Sequence, residues 1–302
     1  MKNNLALLLI ITFGFAYNGS ITGVTYFNAK WEDQAAEFNF NRQYFNYAIQ
    51  MSNDMKLKIV FDAGRTNKLT DTSGNIEDTR LVVFLKKAQL DYKSKWGKTS
   101  LGLIGTNTYS IQEKNWGYRF IEKSALDKNN FVSTVDLGIG FSRNFFDDLN
   151  LGIQLINGEG YKYPQSDDQQ RISFNATYGE NNLLINEGFN LGLAFSYEYS
   201  TSMLSVFGGF SFNGLRVSAE SDFLTENNVI ENLISLTSAY SINNKIDAFA
   251  RYDLLRNDDD EKYLILGIVY DFGSGLLVSP NFSTTKYITS YFIYSLNFQF
   301  EF

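Results

Sequence analysis

The stretch "YFIYSLNFQFEF" occupies residues 291–302. Taken in steps of two it reads Phe292, Tyr294, Leu296, Phe298, Phe300 and Phe302, with Ser295, Asn297, Gln299 and Glu301 between them. A period of two with one apolar and one polar face is a β-strand between two different surroundings. The polar face suits water. The other face, aromatic to its last residue, asks for a second solvent.

The same rhythm recurs along the chain. Leu149, Leu151, Ile153 and Leu155 alternate with Asn150, Gly152 and Gln154. Ile172, Phe174, Ala176 and Tyr178 alternate with Arg171, Ser173, Asn175 and Thr177. Phe189, Leu191, Leu193, Phe195, Tyr197 and Tyr199 alternate with Asn190, Gly192, Ala194, Ser196 and Glu198. Sixteen such segments can be placed, centred near Tyr26, Phe45, Ile59, Leu90, Leu103, Leu137, Ile153, Phe174, Leu193, Val206, Val217, Leu236, Ala250, Ile268, Val278 and Phe298. The fourth is irregular, because Lys86-Lys87 breaks its alternation as a β-bulge would.

A β-sandwich also alternates. Here, however, the polar face is rich in Gly, Ser, Asn and Thr. The aromatics gather toward segment ends, as at Tyr92, Trp96, Phe212, Tyr240, Phe272 and Phe302, which matches the girdles of a membrane barrel. Connections after strands two, four, six, ten, twelve and fourteen are short. Those after one, three, five, seven, eleven and thirteen read as mostly longer and more charged, among them "RTNKLTDTSGNIED" and "NGEGYKYPQSDDQQ". Short turns at one end and long loops at the other are the barrel arrangement. "GENNLLINE" is long for a turn and "EYSTS" short for a loop. The reading is an all-β chain, a transmembrane antiparallel β-barrel of 16 strands. Lipid is the second solvent, and closure pairs every backbone group that hydrocarbon would leave unsatisfied. The chain is expected to stop where its last strand meets its first.

Composition agrees. Aromatics are 16% of 302 residues, yet mean hydropathy is −0.21, so they are spread among polar residues. One continuous apolar run stands out, "LALLLIITFGF" at residues 5–15. It is about half the roughly 20 residues of a spanning helix. With Lys2 before it and Gly14 and Ala16 at its end, it predicts a signal peptide over 1–16 and a barrel over 17–302. There is no Cys for lipidation or disulfides. A net charge of −7 without a basic cluster argues against nucleic acid. With no His in the chain, the histidine bases of familiar barrel proteases and phospholipases are missing, and no enzyme is expected. An active transporter would need a plug domain before strand one, for which no room is expected. No metal or cofactor is expected either. The acidic run "NDDDEK" (257–262) reads as a solvated loop, with Ca²⁺ or Mg²⁺ bridging to lipopolysaccharide as the alternative.

Several stretches resemble a broad porin-like family related to the phosphate-selective porins of Gram-negative outer membranes. They are "NRQYFNYAIQMSNDMKLKIVFDAGR" (41–65), "WGYRFIEKSALDKNNFVSTVDLGIGF" (116–141), "INGEGYK" (156–162), "NGLRVSAESDF" (213–223), "IDAFARYDLL" (246–255) and "PNF" (280–282). The resemblance implies a sixteen-stranded outer-membrane channel with the third external loop folded into the pore. It implies lipid bilayer, lipopolysaccharide and the barrel-assembly machinery as partners, and a homotrimer is a common state of such channels. "NFQFEF" looks like the assembly signal of such proteins, carried by Phe298, Phe300 and Phe302.

The function expected is passive diffusion of ions and small hydrophilic solutes, the alternative being a structural or adhesive barrel. The longest connection, from about Thr106 to Asn130, would be the constriction. Its selectivity candidates are Glu113, Lys114, Arg119, Glu122 and Lys123, since charge near a narrow point sets selectivity. Alternation assigns Lys56, Lys58, Asp62, Asp136, Arg171, Arg216 and Arg251 to a wet lumen wall. The phosphate-selective channels resembled carry lumenal arginine runs; this chain has both signs. "GEG" at 158–160 is no phosphate loop, because no strand–loop–helix unit accompanies it.

Overall fold

The computed structural model describes residues 19–32, 35–65, 81–146, 148–257, 260–286 and 290–302. The expected signal peptide over 1–16 lies outside the described residues.

Sixteen antiparallel strands close into one barrel, each paired with its neighbours in sequence and β1 with β16. The first eight are β1 (Gly19–Glu32), β2 (Ala35–Gln50), β3 (Met55–Arg65), β4 (Leu81–Ser94), β5 (Gly97–Gly105), β6 (Val135–Phe145), β7 (Leu149–Ile156) and β8 (Arg171–Gly179). The second eight are β9 (Gly188–Glu198), β10 (Thr201–Phe212), β11 (Leu215–Glu226), β12 (Val229–Asn243), β13 (Ile246–Arg256), β14 (Glu261–Gly273), β15 (Leu276–Lys286) and β16 (Ser290–Glu301). All sixteen centres read from the alternation fall inside a strand.

Face assignment follows the pleat. On β8, Ile172 and Tyr178 are exposed while Ser173, Asn175 and Thr177 are buried. On β9, Phe189, Leu191, Leu193, Phe195 and Tyr197 face out, and Asn190, Ala194 and Ser196 face in. Lys86 and Lys87 do form a bulge: Val60 pairs with Lys87 and the next residue, Phe61, with Leu85, leaving Lys86 unpaired between them. Both lysines can then point inward while Leu85 and Ala88 keep the outer face.

Closure rests on the last strand. Phe302 donates its N–H to the Gly23 carbonyl at 3.0 Å and accepts from Gly23 N–H at 2.9 Å. The Phe298 ring stacks on Phe27 with centroids 4.6 Å apart.

The expected contrast in connection length holds only in part. The long ones are those after β3, β5 and β7. β11 runs straight into β12 through Asn227 and Asn228, both at positive φ (50° and 68°), which is the I′ geometry of a tight hairpin. The two strands it joins are 12 and 15 residues long. The connections after β1, β11 and β13 are short instead, β2 beginning at Ala35, β12 at Val229 and β14 at Glu261. The turn 180–187 after β8 and the short link after β9 break the rule as the sequence indicated.

Candidate functional site

Between β5 and β6 the chain runs from Thr106 to Thr134 and forms two short helices, α1 (Ser110–Trp116) and α2 (Ala125–Lys128). Its apolar residues bury against inward residues of β9–β14. Ile111 packs with Ala194 and Phe207. Trp116, Tyr118 and Phe120 pack with Phe249, Tyr263 and Ile265. Leu126, Phe131 and Val132 pack with Met203 and Leu233. Each fully buried large apolar side chain contributes about 1.5–3 kcal/mol, so these contacts hold the segment.

Polar contacts add direction. Asn115 and Asn190 exchange side-chain amide bonds at 3.0 Å. Gln112 donates to Ser205 Oγ at 3.0 Å, and Arg216 to the Trp116 carbonyl at 3.1 Å. Arg251 grips Asp253 through Nη2 at 2.6 Å and also donates to the Lys123 carbonyl.

Two cavities flank this segment, of about 470 Å³ and 330 Å³. Arg42, Arg119 and Lys123 line both, so these three cations form the ridge between the cavities. Behind the ridge stand carboxylates. Asp62, wholly buried, pairs with Arg42 at 3.0 Å. Asp127 pairs with Arg119 at 3.1 Å and with Lys123 at 3.8 Å. Asp62 therefore lies beneath the ridge, whereas Asp127 shares the larger cavity's lining with the cations it pairs.

The larger cavity has a second border, the connection after β7. Gly158, Gly160, Tyr161 and Lys162 line it together with Asp127 and Asn130. Lys86, from the β4 bulge, completes the wall. Its ammonium lies 4.5 Å from the Tyr44 ring centre and 4.0 Å from Asp62.

Of the candidates in the 106–130 segment, Arg119, Lys123 and Glu122 line one or both cavities. Glu113 lines neither; it backs Arg119 at 3.3 Å, and burial pushes its carboxyl above the usual range while Arg119 opposes that. Lys114 lines neither cavity; it is exposed on α1, whose Ile111, Gln112, Asn115 and Trp116 are the buried residues. A seven-residue helix has two sides, and packing chose which one meets the wall.

The assigned wall residues all lie on the inner face, but many are not wetted. Lys56 is exposed and Lys58 pairs with Asp91 at 3.0 Å. Arg171 pairs with Glu198 at 2.6 Å beside the larger cavity. Asp62, Asp136, Arg216 and Arg251 are buried. Arg216 and Arg251 were expected on a wet wall and are instead covered by the 106–134 segment, whose carbonyls they bind. Phe298, Phe300 and Phe302 fall on the outer face, as the alternation requires.

Arg42, Lys86, Asp127, Tyr161 and Lys162 were not among the candidates. The doubled lysine was a signal for Lys86; Arg42 shows only as a charge within an aromatic strand.

The chain resembles several solved outer-membrane structures. One is the outer-membrane-expressed OmpT of Vibrio cholerae, at 12% identity and TM-score 0.68, covering 95% of this chain and 98% of that one. Another is OmpF of Salmonella typhi, solved with daunomycin, at 10% identity and TM-score 0.69, with the same coverages. A third is an anion-selective porin from Comamonas acidovorans, at 12% identity and TM-score 0.63, covering 95% and 100%. These likenesses show a porin-like β-barrel fold. No protein-family model and no curated protein matches the chain.

Proposed function

We propose that the protein is a passive diffusion channel of a Gram-negative outer membrane, carrying ions and small hydrophilic solutes with a weak preference for anions. The observation that carries this reading is the ridge of Arg42, Arg119 and Lys123 shared by two polar cavities inside a closed barrel. In this reading the 106–134 segment is the constriction. Its aromatic residues dock it, and its charged edge meets the solute. The preference is weak because Asp62, Glu113 and Asp127 lie within 4 Å of the ridge cations, and at physiological ionic strength charges act over about 8 Å.

An apolar outer face with aromatics at strand ends supports a lipid surround. We further propose export through the 1–16 signal, assembly through the terminal strand, lipopolysaccharide at the loop end, and no enzymatic activity. A trimer is the assembly proposed; the Vibrio cholerae OmpT is known in a trimer form.

Purified protein in a planar bilayer tests the reading. Discrete conducting steps with a small anion-directed reversal potential are expected in a salt gradient. Replacing Arg119 and Lys123 together by Gln should turn the potential toward cations. A protein that inserts but never conducts overturns the channel and favours a structural barrel.

A further inference from the structure

The connection after β7 carries the "GEG" glycines, and its geometry is unusual. Asp136, at 1% exposure, sits under it on β6. Its Oδ2 accepts the N–H groups of Gly158 at 2.9 Å and Gly160 at 3.1 Å, and its Oδ1 accepts Leu137 N–H at 2.7 Å. A carboxylate taking three backbone donors is a strong anchor. The chain also keeps pairing with β6 on either side of the glycines: Asn157 N–H donates to the Leu137 carbonyl and Tyr161 N–H to the Val135 carbonyl, both at 3.0 Å. Gly158 and Gly160 have φ of 124° and 82°. At these φ values an L side chain is strained, so the tight return needs glycine there.

This return places residues 160–163 in the lining of the larger cavity together with Asp127 and Asn130, with Gly160 packed beside Ser133 at the end of the 106–134 segment. Tyr161 lies near the Phe84 ring at 5.9 Å, and Lys162 Nζ is 5.7 Å from that ring. The other cations lining the cavity each lie within 4 Å of a carboxylate: Arg42 and Lys86 on Asp62, Arg119 and Lys123 on Asp127, Arg171 on Glu198. Lys162 makes no ion pair within 4 Å among the described residues. Glu159 and Glu226 also line the cavity, and Glu159 is engaged by Ser166 N–H at 2.7 Å and Ser166 Oγ at 2.9 Å.

We propose that the 157–163 turn is a second selectivity element of the channel, pinned inward by Asp136 and presenting Lys162 to anions in transit. The inference rests on the channel reading and adds a second charged wall of the larger cavity beside the 106–134 segment. Lys162 acts on the solute; Asp136 is a positioning residue that acts through the turn.

Bilayer recordings with chloride salts test it. Lys162→Gln should lower the anion-to-cation permeability ratio about two- to fivefold, the effect of one charge a few ångströms away in water. Asp136→Ala should raise conductance, and in that background Lys162→Gln should change nothing further, because the lysine is no longer held at the throat. Hydrogen exchange on detergent-folded protein gives a readout independent of conduction: the Gly158 and Gly160 amides should exchange faster in Asp136→Ala. Asp136→Asn serves if the alanine variant does not fold. A conducting wild type whose reversal potential ignores Lys162→Gln overturns this inference and leaves the channel standing. Additive effects of the two substitutions, or unchanged exchange at both glycines, overturn the pinning. A wild type that does not conduct overturns the channel reading itself.

Discussion

Lys162 is held below the ordinary lysine range by burial first and by the neighbouring Arg42 charge next, with Asp62 pulling the other way. A lysine so shifted loses its proton at lower pH than a free one. Its share of the anion preference should fade as pH rises into the alkaline range, whereas Lys162→Arg should hold the preference constant; reversal potentials between pH 7 and 10 check this. For stability the sign is opposite: the folded state binds less proton at this site than the unfolded chain, so its contribution rises with pH in that window. Arg251 is a different case, a guanidinium at 1% exposure clamped to Asp253 and stacked 5.2 Å from the Trp116 ring. Arg251→Ala should cost about 3–5 kcal/mol by leaving Asp253 buried without its partner. Removing both, as Arg251→Met with Asp253→Leu, should cost clearly less. Chemical unfolding of the detergent-folded variants measures the difference.

Two elements carry information beyond their length. β16 ends at Glu301 and is followed by Phe302, whose ring lies so near Gly23 that a Cβ there would approach it to 2.3 Å. The ring and the glycine together complete the β1–β16 seam. Phe302→Asp should therefore lower membrane yield and heat-modifiability, while channels that do assemble keep wild-type conductance. Gly23→Val should act the same way through the clash. The bulge in β4 allows the reverse experiment. Deleting Lys86 leaves Leu85 facing out, Lys87 facing in and Ala88 facing out, so regular alternation is restored and no residue is flipped. The deletion variant should fold with unchanged sheet content and lose part of its anion preference; failure to fold would mean that the bulge is needed for closure.

The whole molecule has a net charge of −7, yet places cationic tips along its inner ridge. Global charge and throat preference are separate properties, because screening limits each to its neighbourhood. The expected anion preference should shrink between 0.1 M and 1 M salt as the screening length falls from about 10 Å to about 3 Å. A preference that followed the net charge would favour cations at low salt. Recording reversal potentials at both concentrations, at a fixed gradient ratio, separates the two.

Strand number, face assignment and the bulge at Lys86-Lys87 were all legible in the sequence, because a barrel with an apolar outside and a polar inside writes its two faces into every second residue. The same alternation placed Asp62, Asp136, Arg216 and Arg251 on the inner face. It could not say whether they would meet water. Whether an inward residue is wetted depends on what folds over it, and Trp116, Tyr118 and Leu126 come from far along the chain with no period linking them to Phe249 or Leu233. Inward apolar residues such as Phe207 and Ile265 disturb the rhythm without naming their partners. Position and charge singled out the 106–130 segment, but which side of α1 is buried, and so that Lys114 is left exposed, was set by packing. The inward return at Gly158–Gly160 shows the same division. Its glycines are visible in the sequence, while the carboxylate that receives them, Asp136, is brought there only by the pairing of β6 with β7.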